Sequence, residues 1–100
     1  MAELRIKKIA DDSCTLSSKR GNGILRREVW VDEKERVVRY NLAYINHGLF
    51  QGDNGRVVGY DNAHGVHHRH YFGKVESVDF VSFTDIEARF EADWTALRSE

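Results

Sequence analysis

The chain has no proline, one cysteine and no apolar run approaching the length of a membrane span. Without proline, helix and strand ends must be set by capping side chains and glycine turns rather than by ring constraints. With Cys14 alone, an intrachain disulfide and a thiolate metal cluster are both excluded, and Cys14 reads as a small bystander side chain. The opening MAELRIKKIADDS lacks an apolar stretch of signal-peptide length, so a soluble, cytoplasmic protein with no membrane association is expected. Net charge is scarce too, at −1, which argues against indiscriminate binding to nucleic acid.

What is present supports one modest core. One hundred residues, 41% of them hydrophobic, suffice for a single domain spanning 1–100 and not for two. The segment 11–23, rich in Ser, Gly, Asn and charge, reads as a candidate flexible loop. Charge is unevenly spread. Residues 1–45 carry ten Lys and Arg against seven Asp and Glu, whereas residues 74–100 carry three against seven. The acidic end offers a docking face for a basic partner, although pairing at a sheet edge would serve as well.

Periodicity supplies the elements. In ILRREVWVD, Ile24 to Asp32, Leu25, Val29 and Val31 alternate with Arg26, Glu28 and Trp30, the pattern of a half-buried strand. RVVRYNLAYIN, Arg36 to Asn46, alternates again, and the polar DEKE between them makes an antiparallel hairpin. Asn54-Gly55 supplies a tight turn before RVVGYD, a third strand. A further extended segment is predicted from about His68 to Phe80, and ELRIKKI is an optional first strand. Phe83, Ile86, Phe90, Trp94 and Leu97 recur at helical steps behind Ser82, a capping residue, with Thr84 and Glu87 as a second capping register. The fold class predicted is α+β, an antiparallel β-sheet of four to five strands with a C-terminal amphipathic helix packed on one face. Trp30, Tyr40, Tyr44, Phe80, Phe83, Phe90 and Trp94 are assigned to its core.

The chemistry concentrates in AHGVHHRHYFG, Ala63 to Gly73, which holds His64, His67, His68 and His70. Three readings stand side by side. On a strand, His68 and His70 share a face, and Asp61 or His64 would complete a site for a divalent metal. The same imidazoles suit acid–base chemistry without a cofactor. Cleavage of RNA by its own 2′-hydroxyl needs a base, an acid and a cation, which His68, His70 and Arg69 supply by type. In a regular strand, however, Arg69 and His67 point away from His68 and His70. The third reading is a histidine-rich surface loop whose rings bond backbone and carboxylates. Tyr60-Asp61-Asn62 likewise reads either as an Asx turn or as groups that orient a histidine and contact substrate. One of Tyr71 and Phe72 faces outward and offers a ring for base stacking.

The string VVGYDNAHGVHHRHYFGKVE, followed by FVSFTDIEARFEADW, resembles the TumE toxin family. The shared pattern is Tyr60-Asp61-Asn62 after a strand, Gly65 in a loop, His68-Arg69-His70, Gly73 and the terminal helix, with the YNLAY strand upstream. His67 stands where the family commonly has an acid, and the loop from His47 to Gly55 is longer than usual. The resemblance implies the toxin of a bacterial type II toxin–antitoxin pair, neutralised by an antitoxin with a helix-turn-helix DNA-binding domain. Together with the residue chemistry it gives two expectations. The first is a metal-independent endoribonuclease with RNA as target. Its catalytic residues are His68, His70 and Arg69, its substrate contacts Tyr60, Asp61, Asn62, His67 and Tyr71, and it needs no cofactor. The second is a non-enzymatic module that occupies RNA, the ribosome or nucleic-acid machinery. A homo-oligomer is compatible with either.

Overall fold

The computed structural model describes residues 5–98. Strands β1 (Lys7–Thr15), β2 (Ile24–Val31), β3 (Val37–Ile45), β4 (Arg56–Asp61), β5 (His68–Tyr71) and β6 (Lys74–Ser77) precede one long helix, α1 (Phe83–Arg98). The strands pair in chain order as a single antiparallel meander. The α+β class and the helix on one face agree with the sequence reading. The strand number does not: it is six rather than four to five.

The additional strand has a physical reason, and so does the extent of the optional first one. The segment 68–80 is a hairpin, not one extended run, because Phe72 (φ 47°) and Gly73 (φ 81°) fold β5 back on β6. At the other end, β1 reaches Thr15, so residues 11–15 of the expected flexible loop pair with β2 from Asp11↔Glu28 to Thr15↔Ile24. The remainder of that segment holds a one-turn 3-10 helix, Ser18–Arg20, and the left-handed Gly21-Asn22-Gly23 turn. An edge strand exposed along nearly its whole length keeps a polar composition, as edges that avoid aggregation do, and so resembles a loop in sequence.

Alternation gives the sheet two faces. Val29, Tyr40, Leu42, Tyr44, Val58 and Tyr60 are buried on the face that meets Ile86 and Phe90 of α1. Each such apolar side chain contributes about 1.5–3 kcal/mol on burial, which makes this face the stabilising one. The helix begins where the sequence predicted, with Ser82 Oγ accepting the Asp85 N–H at 3.0 Å. Glu87 instead reaches Arg27 at 2.9 Å. α1 packs chiefly on β3 and β4.

Two aromatics assigned to the core lie outside it. Trp30 has the opposite parity to Val29 and sits on the other face, flanked by Lys8 and Arg39, each 4.9 Å from its ring. Phe80 follows the end of β6, is 44% exposed and stacks on His67 at 4.1 Å.

The open sheet face as candidate functional site

Strand parity divides the histidine motif. In β5, Arg69 pairs with Tyr60 and Tyr71 with Val58, which puts both on the helix face. His68 pairs with Asp61 and His70 with Gly59, on the face that α1 leaves open. The predicted trio of His68, Arg69 and His70 is therefore split across the sheet.

On the open face His70 is held from both sides. Arg56 Nη2 lies 3.1 Å from Nδ1, and Asp61 Oδ2 lies 2.8 Å from Nε2. A guanidinium can only donate, so Nδ1 accepts, and the neutral ring carries its proton on Nε2 and gives it to Asp61. Asp61 is fixed in turn, with Oδ1 accepting the Ala63 N–H at 3.2 Å and Oδ2 3.5 Å from Arg56 Nη1. Arg56 is anchored by its Nε on Asp53 Oδ2 at 2.8 Å. His70 and Asp61 keep only 14% and 13% of their side-chain surface exposed, so this is a largely dehydrated pair. His68 lies edge-on to His70, with ring centroids 6.3 Å apart, and no hydrogen-bond partner is seen for it among the described residues.

Arg56 reaches His70 because Gly59 lies between them. A Cβ on Gly59 would stand 2.8 Å from Arg56 Cδ and 2.8 Å from the Leu42 carbonyl oxygen. The register slip between β3 and β4, where Tyr44 faces Val58 and Ile45 faces Arg56, falls beside this arginine. Sequence reasoning missed Arg56, Asp53 and Gly59. The available signal was a glycine inside a strand, which marks a close approach of neighbouring groups.

Around this centre the open face is polar. One row across the sheet runs Asp11, Glu28, Asn41, Asp61, His68, and the next runs Ser13, Arg26, Ala43, Gly59, His70. The small residues Ala43 and Gly59 leave a trough, and Arg56 with Asn41 borders two depressions in it, of about 340 and 270 Å3. Glu28, bonded by Lys8 at 2.7 Å and Asn41 at 3.0 Å, titrates below its ordinary value, with the Lys8 bond the largest cause.

The remaining predicted contacts are bound up in structure. Arg69 Nε and the Tyr60 hydroxyl both donate to Asp93 Oδ2, at 2.9 and 2.7 Å, while Arg69 Nη1 bonds Glu76 at 2.9 Å. The Asp93 bond is the largest cause holding Arg69 above its ordinary pKa. Burial first, then Asp93, pushes Tyr60 up to about 12. Tyr71 lies under the Arg69 guanidinium at 4.4 Å. His67 shares a 2.8 Å hydrogen bond with Tyr40 and titrates below its ordinary value, because burial disfavours the charged ring and His68 adds to this. Asn62 closes the end of β3, accepting the Tyr40 N–H and donating to the Val38 carbonyl, both at 3.0 Å. Among the described residues no three His, Cys, Asp or Glu side chains group so as to hold a metal ion, and no helix is long and apolar enough to cross a membrane.

A family model described as "Toxin TumE" matches residues 5–100. No curated protein and no solved structure matches the chain.

Proposed function

The chain belongs to the TumE toxin family, and from that premise we propose that it is a metal-independent endoribonuclease whose substrate lies on the open face of the sheet. The observation that carries this reading is the His70 assembly, an imidazole oriented by Asp61 with an arginine at its other nitrogen and, beside it, a second imidazole, His68, that has no hydrogen-bond partner among the described residues. In such a reaction one imidazole takes the proton of the ribose 2′-hydroxyl as its oxygen attacks phosphorus, and the other gives a proton to the departing 5′-oxygen. The products are a 2′,3′-cyclic phosphate and a 5′-hydroxyl. A guanidinium steadies the charge on phosphate, and Arg56 replaces Arg69 in that role because it shares the face of His68 and His70.

A toxin family implies a cognate antitoxin in general. The motif pattern adds the expectation of a type II pair whose antitoxin carries a helix-turn-helix domain. Purified protein incubated with a mixed RNA substrate in chelator should yield fragments ending in cyclic phosphate, and the His68→Ala and His70→Ala variants should lose them. Fragments that persist in both variants would remove the imidazoles from the mechanism. A second reading is supported by the same hydrogen bonds: both His70 nitrogens are occupied in the free protein, as suits a face that binds RNA or the ribosome without reacting. It requires inhibition at stoichiometric dose with no cut RNA.

A further inference from the structure

The smaller of the two depressions has its own chemistry. Arg26, Asn41, Asn54 and Arg56 line it, with Arg26 donating to Ser13 and Asp11 and Asn41 to Glu28; Asp53 is its one acid and is bonded to Arg56. At about 270 Å3 it falls below the roughly 300–1,000 Å3 of sites that enclose a drug-sized ligand, so it suits a group the size of one phosphodiester. Arg56 is the element common to this depression and to His70. Its Nε bonds Asp53, its Nη2 covers His70 Nδ1, its Nη1 lies 3.5 Å from Asp61 Oδ2, and its methylenes lie over the bare backbone of Gly59.

We infer that this depression is a phosphodiester subsite in which Arg56 acts as a latch on His70. In the free protein Arg56 closes Nδ1 of His70. When a phosphodiester enters, the guanidinium exchanges Asp53 and His70 for phosphate oxygens, a bidentate partner that matches its fork. The lone pair of Nδ1 is then uncovered beside the bound backbone, with Asp61 still holding Nε2. The inference rests on the nuclease reading for its purpose but not for its test.

The probe is a short 2′-deoxyoligonucleotide, which lacks the attacking hydroxyl and remains intact. Its affinity is measured at low salt for the full chain, for Arg56→Met, for Asp53→Asn and for the double variant. Asp53→Asn releases Arg56 in advance and should tighten binding roughly threefold or more, a coupling within the range shown by groups in one hydrogen-bond network. In the Arg56→Met background the same substitution should change nothing, which separates the latch from a general gain of positive charge. Adding the probe to the full chain should also move the ring nitrogen resonance of His70 Nδ1 toward its position in free Arg56→Met. Equal tightening in both backgrounds, or a His70 Nδ1 resonance that the bound probe leaves in place, overturns the latch. Loss of the latch with RNA cleavage intact leaves the nuclease reading standing, and a working latch without cleavage refutes only that reading. If Arg56→Met fails to fold, Arg56→Lys serves in its place, keeping a cation while losing the fork that reaches both Asp53 and His70.

Discussion

For single side chains, what matters is who faces whom. His68, Arg69 and His70 are adjacent in sequence and supply one chemical group by type, yet a two-residue period sends the arginine to the helix and the histidines to the open face. That split was legible as a parity argument. The replacement cation was not, because Arg56 joins His70 through a register slip and an empty glycine position that no spacing rule encodes. The test of this arrangement is Gly59→Ala. Its Cβ would press on Arg56 Cδ and on the Leu42 carbonyl, so the variant should lose about 1–3 kcal/mol of stability in urea unfolding and also lose growth inhibition. A fully toxic Gly59→Ala protein would show that Arg56 does not need its place over that backbone. Trp30 teaches the same lesson, since an indole that sequence alone assigns to packing lies between two cations on the open face.

Among the elements, β2, β3, β4 and α1 were legible because apolar periodicity and a Ser82 cap specify them locally. β6 was hidden by its turn. Phe72 adopts φ 47°, a region that aromatic side chains seldom occupy, so only Gly73 signalled the reversal. α1 is tied to β4 and β5 by Asp93, which accepts from both Tyr60 and Arg69. Arg69→Met should therefore act on the fold, costing about 1–3 kcal/mol by leaving Asp93 and Glu76 short of a partner. Denaturant unfolding measures it; an unchanged midpoint combined with lost toxicity would return Arg69 to the chemistry.

Two buried tyrosines predict an alkaline limit. Tyr40 and Tyr60 both hold their protons up to about 12 in the folded protein, chiefly through burial, against an ordinary value of 10.0. The folded state thus binds more protons than the unfolded state across that window. Its stabilisation is complete below about pH 10 and drains as pH rises toward 12. Melting temperature should fall over that range, and Tyr60→Phe should flatten the fall. His67 gives the opposite sign at the acid side. Its lowered value means the unfolded state takes up the proton first, so its share of stability is present above pH 6.5 and is lost as pH falls below it. A Tyr60→Phe curve parallel to the parent above pH 10 would remove Tyr60 from the account.

For the whole molecule, the proposed function divides one sheet between a face that holds the fold and a face that would meet the target. The helix face collects the buried aromatics with Arg69 and His67, while the open face collects His68, His70, Arg56 and a trough of small residues. The chain belongs to a family described as a toxin, and the open face carries the polar cluster that α1 leaves uncovered. The most direct test is a brief induction in bacteria of the parent chain and of His70→Ala, with new RNA 5′ ends mapped across the transcriptome. Discrete new ends, bearing 5′-hydroxyls and absent from His70→Ala, are the predicted result. Growth arrest by the parent chain without new ends would contradict the nuclease account and leave a toxin that works by occupation.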